Sequence, residues 1–343
     1  MPDLPQFQPR RSPMNRAVFA AIDLGTNNCR MLAGAQAGAG FRILESFSRV
    51  VRLGENLHHS GQLAPQAMDR TIAALKLCQT RLAGHPVRAI RAVATEACRR
   101  ATNGGEFLAR VRAETGLDLQ LITAREEAEL AVESCAPLLR DGGRRALLFD
   151  IGGGSTEVAW VRLAAGAPPE MIASLSLPLG VVTLAEAAAP SFEAMVADIA
   201  ARLQPFEAVH RIGQEIRQGG VRLLGTSGTI TTLASLALGL SRYNRHAVDG
   251  MVLSHVQAHA ALQQLRGLGR DGLGRHPCIG PERAEFVLPG CAIFAAIHGV
   301  WPVAEVIVAD RGLREGMLLQ MIRAARADLR PAFHPLAAAA GPS

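Results

Sequence analysis

Lysine is almost absent from this chain: among its 36 lysines and arginines, Lys76 is the only lysine. A phosphate loop of the Gly-Lys-Ser/Thr kind needs lysine directly after a strand. Lys76 lies instead in Ala74-Leu75-Lys76-Leu77-Cys78, within a helical pattern. P-loop and protein-kinase chemistry are thereby excluded. The six cysteines, Cys29, Cys78, Cys98, Cys135, Cys278 and Cys291, form no Cys-x-x-Cys pair. That excludes the common zinc and redox motifs and suits free thiols in a reducing cytoplasm. His255 and His259 stand four apart, but Val256 occupies the place where a zincin requires glutamate. Long apolar runs are lacking as well. Ala17 to Ile22 is cut off by Asp23, too short for a signal peptide or a membrane span.

What is present is a globular balance, 49% hydrophobic and 19% charged, on a chain of 343 residues that has room for two domains. The formal net charge of +6 suits a polyanionic partner and is too modest to indicate nucleic acid. Residues 1–16, rich in proline and arginine, read as a disordered extension, with Met14 as a second candidate start. Residues 328–343, rich in alanine, read as a disordered tail.

Between them the pattern runs twice. Ala17–Leu24, Cys29–Gln36 and Phe41–Leu53 read as an antiparallel meander. Helical spacing over 65–83 and 104–116 brackets a strand at Val87–Thr95. A short strand at Leu119–Thr123 leads into a helix from Ala124 to Leu139. After the polar Arg140-Asp141-Gly142-Gly143-Arg144-Arg145, strands recur at Arg145–Ile151, Thr156–Leu163 and Met171–Leu177. Helices are expected at 180–188, 192–217, 226–238, 254–266, 281–299 and 311–327, with strands at 221–225 and 304–309. The domains are therefore placed at 17–139 and 140–327.

The restart repeats a motif. Ile22-Asp23-Leu24-Gly25-Thr26-Asn27 ends the first strand of one half, and Phe149-Asp150-Ile151-Gly152-Gly153-Gly154-Ser155 that of the other. Two copies imply duplicated domains facing one another across a cleft. Glycines after a strand let backbone amides converge on a phosphate. Gly152, Gly153, Gly154 and Ser155 suit that use, as do Gly25, Thr26 and Asn27. A third such segment, Gly225-Thr226-Ser227-Gly228-Thr229, lies between a strand and a helix, where the helix N-terminus favours an anion. Asp23, Asp150 and Glu157 beside these turns would repel a phosphate unless a cation stood between, and hard oxygen donors of this kind suit Mg²⁺. Arg99, just past a strand, can fork onto phosphate oxygens or stand in solvent. Taken alone, Glu126-Glu127 reads as an acidic pair favoured by the dipole of a helix start.

In this order the segments resemble the exopolyphosphatase and guanosine pentaphosphate phosphohydrolase (Ppx/GppA) family, over about residues 17–327. The resemblance also rests on Val51-Arg52-Leu53-Gly54-Glu55, Ala94-Thr95 through Arg99, Glu126-Glu127-Ala128, Pro281-Glu282-Arg283-Ala284-Glu285 and Asp310-Arg311-Gly312-Leu313-Arg314-Glu315-Gly316. It implies an α/β fold of the actin-like (ribonuclease H-like) kind, duplicated into two domains around an interdomain cleft. Asn56 stands where the family often has glycine and Glu285 where it often has aspartate, both away from the expected chemistry.

The same resemblance implies a hydrolase in which Glu127 orients the attacking water. Arg99 and the turn amides would hold the phosphoryl oxygens, and Asp150 and Glu157, helped by Asp23, would hold Mg²⁺. The substrate is then inorganic polyphosphate or guanosine pentaphosphate, cleaved at the terminal phosphate. A regulator that binds such ligands without cleaving them is the reading of another class, disfavoured by three carboxylates in one site. Longer members continue into a helical second half associated with dimerisation and long-chain binding. This chain resembles the short form, expected to favour shorter chains or nucleotides, with a homodimer left open.

Overall fold

Val18, Ala20, Ile22 and Leu24 alternate with Phe19 and Ala21 along the first strand, β1 (Val18–Leu24), so apolar side chains leave it on both faces. Such a strand must be central and covered by a layer on each side. The computed structural model, which describes residues 17–327 apart from 39, 141 and 188–190, provides both layers. The expected N-terminal extension and C-terminal tail lie outside the described residues.

The first half holds β1, β2 (Asn28–Ala37), β3 (Gly40–Val50), α1 (Leu57–Ser60), α2 (Pro65–Leu82), β4 (Val87–Ala94), α3 (Glu96–Arg100), α4 (Gly104–Thr115) and β5 (Leu119–Leu121). Next come α5 (Ala124–Cys135) and a 3-10 turn at Ala136–Leu139. The second half begins with β6 (Arg145–Ile151), β7 (Thr156–Arg162), β8 (Glu170–Leu177), α6 (Val181–Glu186), α7 (Phe192–His210) and α8 (Ile212–Arg217). It ends with β9 (Val221–Thr226), α9 (Gly228–Ala237), α10 (Arg245–Val248), β10 (Val252–Ser254), α11 (His255–Arg275), α12 (Ala284–Val300), β11 (Glu305–Ala309) and α13 (Leu313–Ala327).

The sheets repeat one another. The first has the order β3-β2-β1-β4-β5, and the second, β10-β11-β9-β6-β7-β8, contains the same order as β8-β7-β6-β9-β11. In each, three antiparallel strands are extended by parallel ones, and β10 adds an antiparallel edge to the second. This is the duplicated actin-like arrangement, with one sheet on either side of a cleft.

The division at 139/140 separates the sheets but not the helices that cover them. α5, from the first half, packs Ala128, Ala131, Val132 and Cys135 against Leu148, Ala159 and Leu224 of the second sheet. α13, from the second half, packs Met317, Leu318 and Ile322 against Phe19, Ala21 and Leu32 of the first. Each domain is closed by a helix of the other, and the two helices meet where Gly316 lies against the Leu130 carbonyl. A side chain on Gly316 would collide with that backbone. The remaining faces are filled within each half, by α2 and α4 on the first sheet and by α7, α9, α11 and α12 on the second.

Other departures from the expected elements have local causes. The helix read over 192–217 breaks at Arg211, which adopts φ 51° between α7 and α8. The one read over 254–266 continues to Arg275, with a kink at Gly269. α1, α3, α10 and β10 have five residues or fewer, too short for a period to show.

Candidate active site

Asp23 and Asp150 hold equivalent places near the ends of β1 and β6, and the turn after each is closed by the same hydrogen bond. Gly25 N–H donates to the Asn28 carbonyl, and Gly152 N–H to that of Ser155, both at 3.0 Å. The two turns press on one another. A Cβ on Gly153 would stand 3.2 Å from Thr26 Cβ and 3.4 Å from Asn27 Cβ, and one on Gly154 would overlap the Thr26 hydroxyl. Glycine is required there for close approach rather than for a left-handed conformation. The Gly152 and Gly153 carbonyls accept from the Val181 and Val182 amides at the start of α6, at 3.0 and 2.8 Å. The amides of Gly153 and Gly154 donate to none of the described residues, and convergent amides of this kind suit an anion.

The third turn joins β9 to α9. Ser227 sits there at φ 75°, an uncommon conformation for a residue with a side chain, and its hydroxyl donates to the Ile151 carbonyl at 2.6 Å. The turn is thereby pinned beside Asp150. Between the halves opens a cleft of about 1280 Å³, lined by Asp23, Gly25, Thr26, Asn27, Glu127, Asp150, Gly152, Gly153, Gly154, Ser155, Thr226, Ser227, Gly228 and Thr229.

Three of the residues singled out in the sequence are placed otherwise. Gly225 does not line the cleft; its missing side chain makes room for the Phe149 ring. Arg99 is also off the wall, with its guanidinium already bound. It donates to Glu127 Oε2 at 2.9 Å, to Glu96 Oε2 at 2.8 Å and to the Ile122 carbonyl at 3.0 Å. Its guanidinium is thus placed on Glu127 and Glu96, outside the lining of the cleft. Glu157 stands behind the wall, directly opposite Asp150 on the neighbouring strand, with one oxygen accepting from Ser176 Oγ at 2.9 Å.

Glu127 comes from the first turn of α5. Thr123 caps that helix by accepting from the Glu126 amide at 3.1 Å, and the helix start favours the acidic pair. Glu127 is buried and lines the cleft, with Oε2 accepting from Arg99. Burial and then the charge of Glu157 push its pKa well above the usual carboxylate range, with Arg99 opposing. Burial likewise raises Glu157 to about 7, with Asp150 adding, and raises Asp150 to about 6, with Arg30 opposing and Asp23 adding. Asp23 is raised by burial too, against Arg30 and Arg314. Burial thus raises all four carboxylates, and neighbouring carboxylate charge adds to it at Glu127, Asp150 and Glu157, the arrangement that a bound cation relieves. No three or more His, Cys, Asp or Glu among the described residues could enclose a metal by themselves. Hard oxygen donors of this kind suit a cation such as Mg²⁺ when water and phosphate oxygens complete its shell.

Sequence reasoning missed the cleft's arginines. Arg30, Arg283 and Arg314 all line it. Arg283 donates to the Gly228 carbonyl and to Thr232 Oγ1, both at 2.9 Å. Burial pulls the pKa of Arg283 and Arg314 down, a cost that an anionic ligand offsets. One signal was available: Arg30 follows Asp23 by the same seven residues that separate Glu157 from Asp150.

Residues 32–325 match the Ppx/GppA phosphatase family. The chain belongs to that family. Among solved structures, the Aquifex aeolicus member of the Ppx/GppA protein family is 28% identical over 90% of this chain and 98% of its own, with a TM-score of 0.72. An exopolyphosphatase-like protein is 26% identical, with 91% and 99% covered and a TM-score of 0.79. An exopolyphosphatase from Cytophaga hutchinsonii, at 23% identity and a TM-score of 0.78 with 90% and 98% covered, shares the fold. This Ppx/GppA phosphatase is a phosphoanhydride hydrolase, and its interdomain cleft gathers the groups that such chemistry uses: amide-rich turns, arginines and a buried glutamate.

Proposed function

We propose that the enzyme removes the terminal phosphate of inorganic polyphosphate by in-line attack of a water that Glu127 orients. The observation that carries this reading is the placement of Glu127, a buried residue that lines the same cleft as the glycine turns and is anchored through Oε2 to Arg99, with Oε1 available to orient a water. The turn amides and Arg283, Arg314 and Arg30 hold the phosphoryl oxygens, so that positioning and fixed charge provide most of the rate. Asp150 and Asp23 on the cleft wall would hold Mg²⁺, with Glu157 supporting Asp150 from behind; when bound, the ion supplies positive charge to the phosphate oxygens. A cytoplasmic setting fits six buried free thiols, and none of the described helices is long and apolar enough to cross a membrane.

A second reading, guanosine pentaphosphate as substrate, is favoured by one feature. Beyond the turns the cleft wall becomes apolar, with Leu265, Ile279, Phe286 and Val287, which suits a base behind the phosphates. The reaction is the same. Phosphate release with Mg²⁺ from short polyphosphate, long polyphosphate and guanosine pentaphosphate ranks the substrates. Glu127→Ala is expected to lower kcat by about 10²–10⁴, the range of a general base. Full activity in that variant would remove Glu127 from the mechanism. Tight binding by the wild type without phosphate release would make the protein a binder of these ligands instead.

A further inference from the structure

Two segments singled out in the sequence, Val51 to Glu55 and Pro281 to Glu285, reach beyond the site as described so far, to which only Arg283 of the second has been assigned. They meet across the domain boundary. Arg52 Nη2 donates to Glu285 Oε1 at 2.9 Å, and the Asn56 amide donates to Glu186 Oε1 at 3.0 Å. The second oxygen of Glu186 is buried without a partner among the described residues.

The same loop is clipped to the first glycine turn. The Val51 and Arg52 amides donate to the Asn27 carbonyl at 2.9 and 3.0 Å, and the Gly54 amide donates to that of Thr26 at 2.9 Å. Gly54 is pressed so closely on Thr26 that a Cβ would overlap its methyl group. On the other side, Glu285 follows Arg283 by two residues, and Arg283 is bonded to the Gly228 carbonyl of the third turn. Two short stretches of chain, joined by the Arg52–Glu285 contact, therefore link the turn of the first domain to that of the second.

The backbone shows a cost at this link. Arg52 adopts φ 50° and Asn56 φ 57°, and together they are two of the four left-handed residues other than glycine among those described. Such conformations persist where the surroundings over-determine them. The Arg52–Glu285 pair is 46% and 31% exposed, so it adds little to global stability. Its contribution lies in geometry.

We propose that Arg52 is a positioning residue: through Glu285, and with the Asn56–Glu186 contact beside it, it holds the 51–56 loop in its left-handed shape and so sets Thr26 and Asn27 against the opposite turns. The effect on turnover rests on the phosphohydrolase reading above; the effect on the loop does not. Amide hydrogen exchange of the ligand-free protein tests the loop. Glu285→Ala is expected to speed exchange at the Val51, Arg52 and Gly54 amides at least tenfold, and unchanged protection there would overturn the proposal whatever the enzyme's substrate.

Kinetics test the second part. Arg52→Ala and Glu285→Ala are each expected to lower kcat about tenfold, with the double variant no worse than either. Losses that multiply independently, or kcat above half the wild-type value in both, would overturn it. Arg52→Gly removes the side chain at a φ that glycine adopts freely, so Tm holds or rises while kcat falls as in Arg52→Ala. Wild-type kcat in Arg52→Gly also overturns the positioning role. A wild type that releases no phosphate sinks the substrate reading and leaves the exchange result to decide this one.

Discussion

Arg30 and Glu157 occupy the same place in the two sheets and carry opposite charge. Arg30 lies directly opposite Asp23 across β1 and β2, and Glu157 directly opposite Asp150 across β6 and β7. Even the third position matches, with Ser48 beyond Arg30 and Ser176 beyond Glu157. The duplicated fold has thus made one wall of the cleft self-neutralising and left the other with two adjacent carboxylates. Arg30 thus offers its charge to an anion, whereas Asp150 and Glu157 offer theirs to a cation.

Exchanging each residue for a neutral one separates these two demands. Glu157→Gln keeps the Ser176 contact but removes a charge behind Asp150. It is expected to raise the Mg²⁺ concentration for half-maximal activity about 10–100-fold, as for other residues that support a metal ligand from behind. Arg30→Met is expected to raise KM for polyphosphate while the Mg²⁺ requirement changes far less. Titrations of both ligands against both variants check the split, and equal shifts in the two would contradict it.

The same carboxylates give the metal-free protein an inverted pH response. Asp150 and Glu157 titrate from about 3.8 and 4.5 in ordinary surroundings to about 6 and about 7 here. Between those values the folded state holds more protons than the unfolded chain, so their contribution is full at low pH and is lost as pH rises through the folded values. His298 runs the other way, since burial lowers its pKa and its contribution is lost as pH falls. The difference between wild type and Glu157→Gln isolates the carboxylate term. Without Mg²⁺, the variant is expected to be more stable than wild type by about 1–3 kcal/mol at pH 8, with the gap closing by pH 4. Added Mg²⁺ is expected to raise the wild-type Tm at pH 8 more than that of the variant. Thermal melts over this pH range provide the measurement.

The sheets and turns were legible because their signals are local. A two-residue period, a strand-ending aspartate and a glycine turn can each be found within a few positions, and they recurred in order. What could not be seen was who meets whom. Glu126-Glu127 alone is an ordinary helix start, and only the fold brings Arg99 to it across 28 positions. Gly316 could be recognised as part of a closing motif, but its physical reason is the Leu130 carbonyl on a helix from the other half. Asn56 and Glu285, set aside as remote departures from the family's pattern, lie on the contact between the domains.

Arg99 bound to Glu127 leads to a different expectation from Arg99 bound to phosphate. Arg99→Met removes the partner of a buried glutamate, and breaking a buried pair costs about 3–5 kcal/mol. Arg99 holds the Glu127 pKa down, so its loss raises that pKa further, and the acidic limb of kcat/KM moves to higher pH. An arginine that bound substrate would instead raise KM and leave that limb in place. A pH–rate profile of the variant, taken with its melting curve, decides between them.

Gly225 offers the converse test, for a residue whose place in a phosphate-turn sequence suggests one function and whose surroundings show another. A Cβ there would overlap the Phe149 ring, which is fully buried and packed against Phe294. Gly225→Ala is therefore an overpacking substitution, expected to cost about 1–3 kcal/mol and to lower Tm. Phe149→Leu in the same chain reduces the overlap, so the double variant should recover part of what the single one loses, a coupling that only neighbours show. If Gly225 served phosphate instead, alanine would raise KM at an unchanged Tm and Phe149→Leu would give no rescue. Melts and initial rates on the three variants distinguish a glycine that makes room for the core from one that makes room for the substrate.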